Sequence, residues 1–276
     1  MKRTLTAAYL FFVFILGFAS CEKDEFVSEY AQRVPAPVNP FLQPGDSLQS
    51  SDSRPVPVIA HRGCWSGDSL PQNSLASFRK ALELNIYGTE FDVRQTKDGK
   101  LVINHDATFH GLSIASNTYS YLCQYTLTNG ETIPLLEDFI KAYLATDSKV
   151  LMVVELKSCK VNDVINMLEH YQLIPNVLFI SLSNKYCNQL VQKGYGPITC
   201  YLGGNMAPAD VKKERYGGID YSQSVFTSHP EWISEAKSLG LWLGAWTVNR
   251  VPDIQKYIAD NVIVTTDYPG KVAFGK

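Results

Sequence analysis

Apolar and polar positions follow two different periods along this chain. From Val56 onward, short runs rich in β-branched residues recur at Val58–Ala60, Gly88–Val93, Val150–Glu155, Val177–Ser181, Ile198–Tyr201, Gly218–Tyr221, Leu241–Thr247 and Val262–Thr265. Between many of them the spacing of apolar residues becomes helical, as in Ser74–Leu84 and Pro230–Leu239. Eight candidate parallel strands alternating with helices predict an α/β fold, the (β/α)8 or TIM barrel, with its chemistry where the strands end. An open doubly wound sheet is the alternative architecture, but no Gly-rich dinucleotide fingerprint follows the first strand.

One segment departs from the alternation. In "TEFDVRQTKDGKLVINHD", Glu90 and Asp92 stand two apart on a strand, so their carboxylates share a face and repel unless a cation lies between them. Lys97-Asp98-Gly99 is a turn signal, and the short stretch from Asp92 to His105 leaves no room for a crossover helix. A β-hairpin is therefore inserted after the second strand. Centred between Asp98 and Gly99, it places His105 opposite Asp92.

The run "LMVVELKS" adds a third acid by the same geometry, because Glu155 and Lys157 stand two apart near the end of an otherwise apolar strand. A charge there is costly unless it is paired or bound to a metal. His61 and Arg62 close the first strand in "VIAHRGCW". The sequence thus sets His61, Arg62, Glu90, Asp92, His105, Glu155 and Lys157 at strand ends, the place where barrel chemistry is expected.

Ahead of this pattern the chain changes character. Lys2 and Arg3 precede "LTAAYLFFVFILGF", which is short for a membrane span and reads as the apolar region of an export signal. Ala19 and Ser20 before Cys21 resemble a bacterial lipoprotein cleavage site, with Phe18 where leucine is commoner. An uncleaved anchor helix is the alternative. Residues 1–20 are expected to be a signal peptide, and Cys21 the site of lipid attachment to the membrane. The "EKDE" that follows resembles signals for the outer face of the outer membrane, so the expected location is the bacterial cell envelope. Residues 21–55, proline- and serine-rich without apolar periodicity, read as a tether. The folded domain occupies 56–276.

Composition narrows the function classes. With 45% hydrophobic and 19% charged residues, the chain can bury a sizeable core. A net charge of −2 and the lack of a basic run or basic–aromatic patch argue against a nucleic-acid partner. The cysteines beyond Cys21, at 64, 123, 159, 187 and 200, are odd in number and show no zinc spacing, so they identify neither a disulfide nor a metal site.

The ordered motifs His61-Arg62-Gly63, Pro71-Gln72-Asn73-Ser74 with Phe78, Glu90-x-Asp92, Lys97-Asp98-Gly99, His105-Asp106, Ile133-Pro134-x-Leu136, Glu155-x-Lys157, Trp246-Thr247-Val248-Asn249 and Thr266-Asp267-Tyr268-Pro269 together resemble the signatures of the glycerophosphodiester phosphodiesterase family. They span essentially the whole folded part. The resemblance implies a TIM barrel and one divalent metal, Ca2+ or Mg2+, held by Glu90, Asp92 and Glu155. It also implies His61 and His105 as general acid and base, and a small-molecule glycerophosphodiester as substrate. These residue types suit the task. Oxygen ligands match a hard cation that neutralises a phosphodiester, Arg62 and Lys157 add positive charge for the phosphate, and two imidazoles near neutrality can take and give protons. Trp246 is expected to line the pocket.

Two departures from that family's pattern stand out. Gln72 replaces a common glutamate, while Ser74 still supplies a helix-capping hydroxyl. After His105-Asp106, "ATFHGLS" lacks the usual Leu-x-Arg-Thr, which bears on the alcohol recognised. A phospholipase-D-like or inositol-phosphodiester activity on a related barrel, and a non-catalytic surface lipoprotein, are the alternatives. The sequence names no protein partner.

Overall fold

A computed structural model describes residues 55–67 and 69–273. The expected signal segment, most of the expected tether and Cys21 lie outside the described residues. The strands run β1 (Val56–Ala60), β2 (Ile86–Gln95), β3 (Leu101–Ile103), β4 (Thr108–Phe109), β5 (Leu112–Ser113), β6 (Leu151–Ser158), β7 (Val177–Ser181), β8 (Thr199–Tyr201), β9 (Gly218–Ser222), β10 (Trp242–Trp246) and β11 (Ile263–Thr266). All eight runs anticipated from the apolar pattern are parallel strands, ordered β1-β11-β10-β9-β8-β7-β6-β2. Parallel pairing of β1 with β2, through Ala60↔Thr89, joins the two ends. That closure makes a barrel and eliminates the open-sheet alternative.

The strands are buried on both faces, which is why they read as apolar runs. Ile59, Val153, Leu178, Ile180, Cys200, Leu202, Trp242 and Ile263 pack together in one buried cluster, where the Trp242 Nε1–H donates to the Tyr87 hydroxyl at 2.9 Å. Helices such as α1 (Leu75–Leu82) cover the outside, with Phe78 stacked on Phe139. Among the described residues, no helix is long and apolar enough to cross a membrane.

The inserted hairpin is present, one residue out of the expected register. β2 outruns β1 and pairs antiparallel with β3 through Val93↔Ile103 and Gln95↔Leu101. The turn is centred on Asp98, because Thr96 pairs with Lys100 and Gly99 takes φ +80° to close a three-residue loop. Asn104, and not His105, therefore faces Asp92, and its N–H donates to the Asp92 carbonyl at 2.9 Å. Beyond β3 the insertion continues into the β4–β5 ladder and a small core of Val102, Phe109, Ile114, Leu122 and Ile133.

Candidate active site

The turn after β1 is unusual backbone. Arg62 adopts φ +55° and Gly63 φ +85°. A side chain at Gly63 would start 2.5 Å from the Ser77 hydroxyl and 2.7 Å from the Ser77 carbonyl carbon. Only glycine lets the turn lie against α1. The turn is tied on both sides: the Arg62 N–H donates to Glu90 Oε2 at 2.9 Å, and the Arg62 carbonyl accepts from Asn73 N–H and the Ser77 hydroxyl. Ser74 caps α1 by accepting from Ser77 N–H, and Ser77 returns the bond to Ser74 N–H. Helix capping and turn geometry therefore share one serine.

Glu90 and Asp92 project from β2, and Glu155 from the adjoining β6, where Asp92 pairs with Glu155. One oxygen of each carboxylate lies within 4.8 Å of the others, and all three residues are buried. Asp92 is set by Asn73, whose Nδ2 donates to Oδ2 at 2.7 Å while its Oδ1 accepts from Asp92 N–H. Lys157 Nζ stands 2.6 Å from Glu155 Oε1 and 3.3 Å from Asp92 Oδ1, and Arg62 Nε 3.5 Å from Asp92 Oδ2.

The charges respond to this crowding. Burial, then repulsion from Asp92 and Glu155, lifts the Glu90 carboxyl well above the usual range. Burial and the Asp92 charge push Glu155 up to about 7 against the pull of Lys157. Burial acts upward on Asp92 too, but Lys157, the Asn73 bond and Arg62 hold it below the usual range. Burial would lower Lys157, yet Glu155 and Asp92 keep its ammonium above the ordinary value. Glu90 Oε1 is buried with no hydrogen-bond partner. An orphaned carboxylate oxygen facing two more carboxylates is the donor set a hard divalent cation requires, so these residues fit a calcium or magnesium ion. Fully ionised, as a bound cation requires, the three carboxylates against Arg62 and Lys157 carry one net negative charge. A divalent ion reverses that sign and matches a phosphodiester monoanion.

His61 follows β1 and His105 follows β3. His61 Nδ1 lies 2.6 Å from Asp267 Oδ1, beyond the end of β11. Burial raises the Asp267 carboxyl, but bonds from His61 and Asn249 outweigh it and hold it below the usual range. An ionised Asp267 can only accept, so it fixes the proton on His61 Nδ1 and leaves Nε2 for chemistry. Asn249 steadies Asp267 from the other side, donating to Oδ2 at 2.7 Å and accepting from its N–H at 2.9 Å. His105 makes a similar but exposed contact, Nδ1 to Asp106 Oδ1 at 2.8 Å.

A cavity of about 110 Å3 at this end of the barrel is lined by His61, Arg62, Glu90, His105, Glu155, Lys157 and Trp246. Seven of the residues expected from sequence thus meet around one space. Asp92 lies behind it, fully buried. Gln72 Oε1 accepts from Arg62 Nη1 at 2.6 Å. Asp267 and Asn249 belonged to the recognised motifs, but their service to His61 was not legible, since 206 positions separate Asp267 from its histidine. Asp220, another wall of the cavity, carries no signal in the sequence, because "GGIDYS" reads as an ordinary strand ending in polar residues. Such a set can hold an anion against concentrated positive charge and move protons on either side of it.

The family model described as the glycerophosphoryl diester phosphodiesterase family matches residues 61–271. A glycerophosphodiester phosphodiesterase of Caldanaerobacter subterraneus subsp. tengcongensis is 30% identical, over 76% of this chain and 93% of its own. The crystal structure of a glycerophosphodiester phosphodiesterase from Parabacteroides distasonis superimposes with a TM-score of 0.74 at 32% identity, covering 78% of this chain and 94% of that one. An Oleispira antarctica phosphodiesterase, solved in complex with the product sn-glycerol-3-phosphate, gives a TM-score of 0.67 at 25% identity, covering 79% and 96%.

Proposed function

The chain belongs to the glycerophosphoryl diester phosphodiesterase family, and from that premise we propose that it hydrolyses glycerophosphodiesters to sn-glycerol 3-phosphate and an alcohol by metal-dependent catalysis with a pair of histidines. The observation that carries this reading is the convergence of Glu90, Asp92 and Glu155 with His61 and His105 on one cavity.

Glu90, Asp92 and Glu155 would hold one calcium or magnesium ion, which when bound supplies Lewis-acid neutralisation of the phosphodiester charge. Arg62 and Lys157 orient the phosphate and stabilise charge developing on its oxygens. One imidazole takes a proton from the attacking oxygen as the new P–O bond forms. The other gives a proton to the departing alkoxide as the old P–O bond breaks. Asp267 and Asp106 keep the Nδ1 side of each ring engaged, so Nε2 is the atom that exchanges the proton. Trp246, at the end of β10, lines the same cavity.

The test is turnover of a glycerophosphodiester panel by the purified chain, with and without EDTA and with metal restored. EDTA should abolish activity and calcium or magnesium should recover it. His61→Ala and His105→Ala should each lower kcat by at least about 100-fold with unchanged circular dichroism. Full turnover by enzyme shown metal-free by elemental analysis would remove the metal from the reading. A near wild-type rate in either histidine variant would remove that residue. Export and lipid attachment at Cys21 complete the proposal, supported by the sequence pattern of residues 1–21. Cys21→Ser should shift the protein out of the membrane fraction, and an unchanged distribution would refute anchoring there.

A further inference from the structure

Asp220 is a buried carboxyl that the chemistry above does not use. It sits on β9 with 1% of its surface exposed, and its Oδ1 has no hydrogen-bond partner. An uncompensated polar atom in the interior is costly, so a folded chain that keeps one at a cavity wall invites a ligand group to satisfy it. In the strand order, β9 is the fourth strand from β2 in either direction round the ring. Asp220 therefore stands across the barrel from Glu90 and Asp92.

Its surroundings narrow what it can meet. Ile180 on β7 and Leu202 just after β8 form the neighbouring apolar wall, leaving Asp220 as a hydrogen-bonding group in that half of the cavity. Its backbone is anchored, since the Trp246 indole N–H donates to the Asp220 carbonyl at 2.8 Å. Space is kept for its carboxyl by Gly244 on β10, where a Cβ would come 2.6 Å from Oδ1. The phosphate is already matched on the opposite side by Arg62 and Lys157. A buried carboxyl beside an apolar wall suits a hydroxyl, which can form one hydrogen bond with it.

We propose that Asp220 is a specificity-determining residue whose carboxyl binds a hydroxyl of the substrate's glycerol moiety while the phosphate lies against Arg62 and Lys157. This rests on the phosphodiesterase reading above. A site built to bond a hydroxyl discriminates strongly against a ligand lacking it, because the buried group is then left unpaired.

The experiment compares wild type, Asp220→Asn and Asp220→Ala in the full chain with metal present. The substrates are a glycerophosphodiester, its analogue with a propyl group in place of glycerol, and bis(p-nitrophenyl) phosphate. Asp220→Ala should lower kcat/KM on the glycerol substrate roughly 10- to 100-fold and leave the other two within about twofold, with Asp220→Asn in between. As a readout independent of turnover, Ki for sn-glycerol 3-phosphate should rise by a similar factor in Asp220→Ala while Ki for inorganic phosphate stays put. Equal loss on all three substrates, or an unchanged Ki for sn-glycerol 3-phosphate, overturns the assignment and leaves the phosphodiesterase reading standing. Failure of the wild type to cleave any glycerophosphodiester overturns both. A variant that misfolds is recognised by circular dichroism, and the conservative Asp220→Asn then decides by the same ratio.

Discussion

At the scale of single residues, the site joins strong local constraint to one adjustable contact. Asn73 ties Asp92, Asp267 ties His61, and both ties are side chain to side chain across long stretches of sequence. Gln72 differs, because it is exposed and holds Arg62 through one bond from Nη1. A glutamate there would add a negative charge beside the guanidinium and reduce the attraction felt by an anionic substrate, in ground state and transition state alike. Gln72→Glu should therefore raise KM for phosphodiesters by roughly two- to fivefold, the scale of an exposed ion pair, and leave kcat nearly unchanged. Steady-state kinetics decides. A tenfold or greater rise in kcat would show instead that the glutamine limits the chemical step.

At the scale of elements, the turn between β1 and α1 carries both the fold and the site. Gly63 needs its positive φ and also needs to lack a Cβ, whereas Gly67, at φ +100°, has nothing within 4 Å of where a Cβ would stand. The pair separates two effects. Gly67→Ala should cost backbone strain alone, and Gly63→Ala should cost that plus a clash with the Ser77 backbone, about 1–3 kcal/mol in total. Loss of activity should follow the second variant and not the first, because displacing the turn moves His61 and Arg62. Equal midpoints in urea for the two variants would contradict this. The hairpin of β2 and β3 shows what sequence leaves open at this scale. Lys97-Asp98-Gly99 announces a turn, yet a loop longer by a single residue changes which side chain faces Asp92.

At the scale of the whole molecule, the buried carboxyls link metal, proton and stability. Glu90, Glu155 near 7 and Asp220 near 8 all hold their protons more tightly folded than unfolded. Unfolding therefore releases protons, and the metal-free fold should lose stability as pH rises from about 5 toward 8. Asp92 and Asp267 are shifted the other way and titrate below that window. A divalent ion replaces the protons of the cluster, so its stabilising effect should grow with pH over the same range. Melting curves between pH 5 and 8, in EDTA and in excess calcium or magnesium, test this. A metal-induced rise in Tm that shrinks as pH increases would refute the cation site at Glu90, Asp92 and Glu155.

The periodicities of the chain determined most of the architecture. Strands buried on both faces must be apolar, so eight β-branched runs announced eight strands, and charges at their ends marked the end of the barrel where the cavity opens. Local spacing also put Glu90 with Asp92, and Glu155 with Lys157, on common faces. Tertiary structure alone decided the rest. Closure of β1 on β2 converted a list of strand ends into a ring, which set Asp220 across from Glu90 and Asp92 and brought Asp267 to His61. Periodicity reports which face of its own element a side chain takes; what that face meets depends on pairings between segments far apart in the chain.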